Sequence, residues 1–296
     1  MCVVSAKWLP STGWILAKNR DRNYKPLIRI RKSFRNDMER LYIWDERTKY
    51  TEGINEYGVA IISASVAVKK DEEEGAKAVK DSNKSSKKAK IASRIYYAPD
   101  GKRIRTAMFE KTAVDATKKL IELQISGNTV IADRNRCFIL EGAYTKDDEF
   151  VYEIKEVSKD EVLVRTNHGI LLPWTGYSAE IESQVKSRES SEIRMKTVKD
   201  SLSDAQTFED VISALSSTDN DDPQMNPMRI DIVRRAMRTT GQIFLVPSEN
   251  TMHYRPVWSD ISFDINKLNN NKEKTFFEVV SARKLITFSN YNKKQG

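Results

Sequence analysis

Cysteine and histidine are nearly absent: the 296 residues hold two of each, Cys2 and Cys137, His168 and His253. Two cysteines cannot build the disulfide framework of a small secreted scaffold, and a free thiol suits a reducing compartment, so a cytoplasmic protein is expected. With so few soft ligands so widely spaced, a zinc site of ordinary ligand pattern cannot be assembled, and no metal or other cofactor is expected. Long hydrophobic runs are missing as well. The longest, around Val59 to Val68, is too short to cross a bilayer as a helix. No basic stretch followed by an apolar core opens the sequence, so neither export nor a membrane partner is expected.

Charge of one sign is not gathered anywhere. Lysine and arginine number 50 against 42 aspartates and glutamates, a formal charge of +8, and acidic residues are interspersed with basic ones nearly throughout. A nucleic-acid binder concentrates its positive charge on one face or segment, so no nucleic-acid partner is expected. What is present suffices for a packed interior: 39% apolar and 9% aromatic residues. One domain spanning residues 1–296 is expected. Within it, Lys69 to Lys90 has almost no large apolar side chain and reads as a charged surface insertion.

Periodicity places strands at Cys2 to Trp8 and Trp14 to Lys18, joined by a Pro-Ser-Thr-Gly turn, and further strands at Leu27 to Ile30, Leu41 to Trp44 and Val59 to Val66. Thr112 to Gln124 has helical spacing, with Thr112 as N-cap and Asp115 three residues on. Strands come next at Thr129 to Ala132, Cys137 to Leu140, Phe150 to Val157 and Val162 to Thr166. After them lie helical stretches at Ser178 to Leu202 and Thr207 to Leu215, continued by Arg229 to Met237. The end returns to strands at Gln242 to Val246, Met252 to Val257 and Phe276 to Val280. Elements grouped in blocks predict a layered α+β fold with helices outside stacked sheets.

The chemistry gathers at the start of the chain. Removal of Met1 leaves Cys2 as first residue, with a thiol nucleophile and, in its own α-amine, a base of reference pKa about 7.7–8.0. An antiparallel hairpin brings the residues just after its second strand beside residue 2, Asp21 among them.

The stretch MCVVSAKWLPSTGWILAKNRDRNYKP resembles the opening of the choloylglycine hydrolases, penicillin acyltransferases and secernin-type dipeptidases of the N-terminal-nucleophile hydrolase superfamily: a cysteine, a hairpin, then Lys/Arg-Asn-x-Asp. The secernin-like form Lys-Asn-Ser-Asp-Arg is matched at Lys18, Asn19, Asp21 and Arg22, with Arg20 in place of serine. GINEYGVAI at 53–61, GNTVIADRNRCFILEG at 127–142, RTNH at 165–168 and TTGQIFLVPSENTMHY are similar to further elements of these families, in the same order.

The resemblance implies a four-layer αββα sandwich and a set of roles. Cys2 attacks an amide carbon, Asp21 orients the α-ammonium, and Lys18 stands where choloylglycine hydrolases have arginine. Asn167 serves the oxyanion or the nucleophile's amine, and Arg229 and Arg234 are both candidates for a late active-site arginine. Ser63 and Ser65 stand where a second oxyanion asparagine is expected. His168 is a candidate substrate contact, and Arg20 with Lys18 and one of the late arginines forms a basic cleft for a substrate carboxylate. Asn55 and Glu56 read as turn residues and Cys137 as inert core. The implied activity is cleavage of a linear amide in a small molecule through an acyl-thioester. The rival readings are a secernin-like dipeptidase, an acyltransferase of the acyl-CoA type, or an inactive binding or structural protein on the same fold. Whether copies of the chain associate is left open.

Overall fold

The computed structural model describes residues 2–66, 100–145, 147–230, 236–265 and 286–289. The expected insertion at Lys69 to Lys90, Arg234 and the expected strand at Phe276 to Val280 lie outside the described residues.

In chain order the strands are β1 (Val3–Leu9), β2 (Gly13–Arg22), β3 (Leu27–Arg35), β4 (Met38–Asp45), β5 (Thr51–Asn55), β6 (Ala60–Ala64), β7 (Gly127–Ala132), β8 (Cys137–Tyr144), β9 (Phe150–Val157), β10 (Leu163–Arg165), β11 (Arg238–Val246), β12 (Thr251–Pro256), β13 (Asp260–Ile265) and β14 (Ile286–Ser289). The helices are α1 (Ala113–Glu122), α2 (Glu182–Ser203) and α3 (Phe208–Ser216), and residues 100–107 are also helical. One sheet has the order β10-β1-β2-β11-β12-β14 and the other β13-β3-β4-β5-β6-β7-β8-β9. Every pairing is antiparallel except that of β13 with β3.

The two sheets stack through a core that includes Val4, Leu16, Ile43, Ile62, Ile139 and Ile243. The outer face of the larger sheet packs Ile61 and Leu140 against Leu120 of α1 and Ile104. The outer face of the smaller sheet packs Ile15 and Phe244 against Val198 of α2 and Leu215 of α3. The molecule is therefore an α+β sandwich of four layers, α, β, β, α.

Local chemistry accounts for two of the helices. Thr112 caps α1 by accepting from the Asp115 N–H at 3.0 Å, and Ala113, Ala116 and Leu120 form its buried stripe. α3 begins with a reciprocal capping box between Thr207 and Asp210. α2 is different: its buried residues are Ser190, Ser191, Arg194, Val198 and Leu202, three of the five polar. Its periodicity in the sequence is weak for that reason. Arg229 to Met237 does not continue the helices where it is described, since 229–230 and 236–237 are irregular.

Both faces of β2 are buried, which makes it the strand that positions the charged residues near Cys2. Trp14 and Leu16 face the core between the sheets, while Ile15 and Ala17 face the helices. Beyond Ala17 the alternation continues with polar residues: Lys18, Arg20 and Arg22 turn inward, and Asn19 and Asp21 turn toward the helical layer.

Candidate active site

Cys2 lies one residue before β1, is 4% exposed, and shares the inter-sheet core with Val4 and Ala6. Pairing of β1 with β2 sets Val4 opposite Lys18 and Val3 opposite Asn19, so the Lys18 to Arg22 segment flanks the cysteine. The nitrogen of Cys2, an amide N–H while Met1 is attached, donates to Asn167 Oδ1 at 2.6 Å. Asn167 Nδ2 donates in turn to the Ser65 carbonyl at 2.5 Å. A peptide N–H only donates and a carbonyl oxygen only accepts, so both ends of this side-chain amide are assigned. Of the two duties offered to Asn167, this geometry serves the nucleophile's nitrogen.

The loop carrying Asn167 is held by the β7–β8 hairpin. Asn128 Nδ2 donates to the carbonyls of Thr166 and His168, at 2.9 and 3.0 Å. Glu141 Oε2 accepts from the N–H groups of Ile170, Leu171 and Leu172 at 2.9, 2.7 and 3.0 Å, while its Oε1 accepts from Arg165 Nε at 2.9 Å. Gly176 closes the loop with φ at 83°, and a Cβ there would lie 2.5 Å from the Asn167 carbonyl oxygen, so only glycine fits.

Asp21 is fully buried on the helix-facing side of β2. Its Oδ1 accepts from Thr239 Oγ1 at 2.9 Å, and its Oδ2 lies 3.2 Å from Arg194 Nη1 and 3.7 Å from Arg229 Nη1. The carboxylate expected to hold the nitrogen of Cys2 thus sits between two guanidinium groups, and the hydrogen bond from that nitrogen goes to Asn167. Arg229 is also buried, donating through Nη2 to Ser190 Oγ at 2.6 Å and through Nε to the Gln224 carbonyl at 3.0 Å.

The inward-facing cations of β2 meet carboxylates of the other sheet. Lys18 Nζ donates to Glu52 Oε1 and to the Ser63 carbonyl, and Arg20 Nε lies 3.2 Å from Glu52 Oε2. Arg20 Nη2 and Arg22 Nε approach Asp45 Oδ2 at 3.6 and 3.8 Å, and the hydroxyl of Tyr24 donates to the same oxygen at 2.9 Å. Arg22 Nη1 donates to the Asp21 carbonyl at 2.8 Å and reaches Cys2 Sγ at 3.6 Å. Burial works against the Cys2 thiolate, but the positive charges of Lys18, the chain's amino terminus and Arg22 outweigh it and bring the thiol pKa down to about 7. Cys137 moves the other way, pushed well above the ordinary thiol value by burial and by the negative charges of Asp133, Glu161 and Glu156.

The expected substrate contacts are not placed as such. Arg20 is 0% exposed and engaged by Glu52 and Asp45, so it cannot meet a substrate carboxylate. His168 is 1% exposed and turned toward α2, with Nδ1 2.8 Å from Ser191 Oγ, and burial lowers its pKa to about 4. Ser63 is buried: its hydroxyl accepts from Thr129 at 3.0 Å and its carbonyl accepts from Lys18 and from Tyr50. Ser65 is exposed and engaged through its carbonyl. Arg22, Glu52, Asp45 and Arg194 belong to the site although the sequence assigned them no role.

No protein-family model and no curated protein sequence matches the chain. Solved structures similar to it include the Caenorhabditis elegans ortholog of N-acylethanolamine-hydrolyzing acid amidase, at 9% identity over 83% of this chain and 93% of that one, with a TM-score of 0.48. Penicillin V acylase from Agrobacterium tumefaciens is similar at 12% identity over 86% and 83%, with a TM-score of 0.46. The C2A mutant of the conjugated bile acid hydrolase from Clostridium perfringens is similar at 11% identity over 99% and 98%, with a TM-score of 0.43. All three belong to the N-terminal-nucleophile hydrolase superfamily, the group that the opening residues resemble. At these overlaps the likeness carries no argument about this chain, and the chemistry rests on the residues themselves.

Proposed function

We propose that the protein is a cysteine amidohydrolase that cleaves a linear carbon–nitrogen amide bond with Cys2 as nucleophile. One observation carries this reading. Cys2 Sγ lies 3.6 Å from a guanidinium nitrogen of Arg22, while the nitrogen of the same residue is fixed 2.6 Å from Asn167 Oδ1. Nucleophile and prospective base are thus positioned together, beside Lys18 and Arg22, whose charges favour the thiolate.

Loss of Met1 converts the Cys2 amide into an α-amine. The amine takes the thiol proton, Sγ bonds to the amide carbon, and the proton passes to the nitrogen as the carbon–nitrogen bond breaks and the amine leaves. Water, losing a proton to the same α-amine, then adds to the thioester, and the carbon–sulfur bond breaks to return the thiol and release the acid. A compact substrate fits best. The cavity lined by Arg229, Thr239, Arg238, Arg255 and Trp258 measures about 240 Å³, below the range of drug-sized pockets, and its described lining has three arginines and no carboxylate. Thr239 and Arg229 link this cavity to Asp21, while Cys2 is not among its lining residues. Small N-acyl amino acids or dipeptides suit it better than conjugated bile salts.

The test is amine release from a panel of both classes, with Cys2→Ala as control and intact mass to show whether Met1 is removed. Faster release from N-acyl amino acids or dipeptides, abolished in Cys2→Ala, is expected. Preference for bile salts overturns the substrate class, and activity surviving in Cys2→Ala sinks the mechanism. The reading as an inactive binding protein draws on the Ser63 hydroxyl being engaged by Thr129. It predicts no release from any amide even when Met1 is absent.

A further inference from the structure

We infer that Arg22 is a catalytic residue of this site: its guanidinium holds the Cys2 thiolate by direct hydrogen bonding, while Lys18 is committed to Glu52. The inference rests on Cys2 being the nucleophile and names the group that makes it one.

The charges between the sheets do not balance without Cys2. Among the described residues Lys18, Arg20 and Arg22 bring three positive charges, and Glu52 and Asp45 bring two negative ones. Glu52 directs one oxygen at Lys18 and the other at Arg20. Asp45 Oδ1 accepts the N–H groups of Arg47 and Thr48, and its Oδ2 is shared by Tyr24, Arg20 and Arg22. Buried charge is costly unless paired, and among the described groups of this cluster one cation more than anions is present, with Arg22 the least committed to a carboxylate. The Cys2 thiolate, 3.6 Å from Arg22 Nη1, completes the balance.

Which cation serves the sulfur is decided by where the donors go. Lys18 directs its ammonium at Glu52 and the Ser63 carbonyl, and burial pushes its pKa below the ordinary lysine value even with Glu52 beside it. Its charge reaches Cys2 through space. Arg22 instead uses Nη1 for both Sγ and the Asp21 carbonyl and rests near the face of Tyr50, 5.9 Å from the ring centre. A guanidinium stays charged throughout the working range of pH. Arg22 is also the member of this trio that reaches solvent, with 16% of its side chain exposed against 1% for Lys18 and 0% for Arg20. The groups whose charge acts on Cys2 are Lys18, Asp21 and Arg22 from β2, Tyr50 from the approach to β5, Arg194 from α2, Arg229 and the chain's amino terminus. Of these, Arg22 makes the contact to sulfur.

The test is the pH dependence of Cys2 alkylation by iodoacetamide in the full chain, read by peptide mass for wild type, Arg22→Lys and Arg22→Gln. Loss of an adjacent opposite charge raises a thiol pKa by about one unit or more, so Arg22→Gln should move the midpoint up by that amount. Arg22→Lys, a point charge without the fork that serves sulfur and carbonyl at once, should move it by about half as much. A wild-type midpoint in either variant overturns the inference, so each decides alone if the other does not fold. A purely structural arginine would not order the three proteins in this way. The assay needs no amide substrate: if the midpoint moves with Arg22 but no amide is cleaved, the hydrolase reading fails and the role of Arg22 stands.

Discussion

Glu52 is where the electrostatics of the site meet the stability of the fold. It is fully buried and serves Lys18 and Arg20 at once, so replacing it leaves two cations between the sheets with half of their compensation. Breaking a buried pair from one side typically costs about 3–5 kcal/mol. Glu52→Gln is expected to lose stability on that scale in urea denaturation; a loss under about 1 kcal/mol would show that the pair contributes no more than an exposed one. Cys2, Asp21 and Asn167 sit in short recognisable stretches of sequence. Glu52 and Arg194 do not, since what marks them is a partner remote in the chain: Lys18 for one, Asp21 for the other. A signal did exist in Glu52, a charged residue two places before Ile54 on the inward face of β5. Arg22 was part of the matched Lys-Asn-x-Asp-Arg run, but its aim at sulfur depends on the register of β2 against β1.

At the scale of elements, legibility tracks the chemistry of the ends and faces. α1 and α3 announce themselves through caps and apolar spacing, whereas α2 hides a mostly polar buried face that packs Ser191 against the Asn167 loop and Arg194 against Asp21. α3 has its own link to the site, because the Leu215 carbonyl near its end accepts from Asn19 and from Gln242. Thr207→Ala removes the hydroxyl that accepts from the Asp210 N–H, and an N-cap of this kind contributes about 1 kcal/mol. The midpoint of chemical unfolding should fall accordingly while the alkylation midpoint of Cys2 stays put. A shift of the latter would mean that α3 sets the site's electrostatics as well as its frame. Of the segment from Arg229 to Met237, residues 231–235 lie outside the described residues; Arg229 itself is drawn inward by Asp21 and Ser190 rather than opening a helix.

For the molecule as a whole, acid should weaken the fold through groups kept neutral by burial. His168 and His253 both have pKa values lowered to about 4 by burial, so between pH 6.5 and 4 the unfolded chain binds protons that the native one refuses, and stability falls as pH falls. Asp100, raised to about 6 by burial, acts in the opposite sense between about pH 4 and 6, because there the native state holds the extra proton. Two histidines against one carboxylate leave stability falling on acidification. Above neutrality Cys2 takes over. Its pKa of about 7 lies below the ordinary thiol value of 9.0, so stability should keep rising from pH 7 to 9 and should stop doing so in Cys2→Ala. Melting temperatures across pH 4.5 to 9 test both limbs, and a wild-type curve flat above pH 7 would contradict the second. The alternation of β2 sets a further limit, on which changes of length the chain can tolerate. Sliding this strand by one residue would turn Lys18, Arg20 and Arg22 toward Arg194 and Arg229, and Asp21 toward Glu52 and Asp45. Like charges would face each other on both sides, so a single residue inserted into the short turn between Leu9 and Gly13 is not a neutral loop variant but an inversion of two buried charge patterns. Among descendants of this sequence that turn should keep its length.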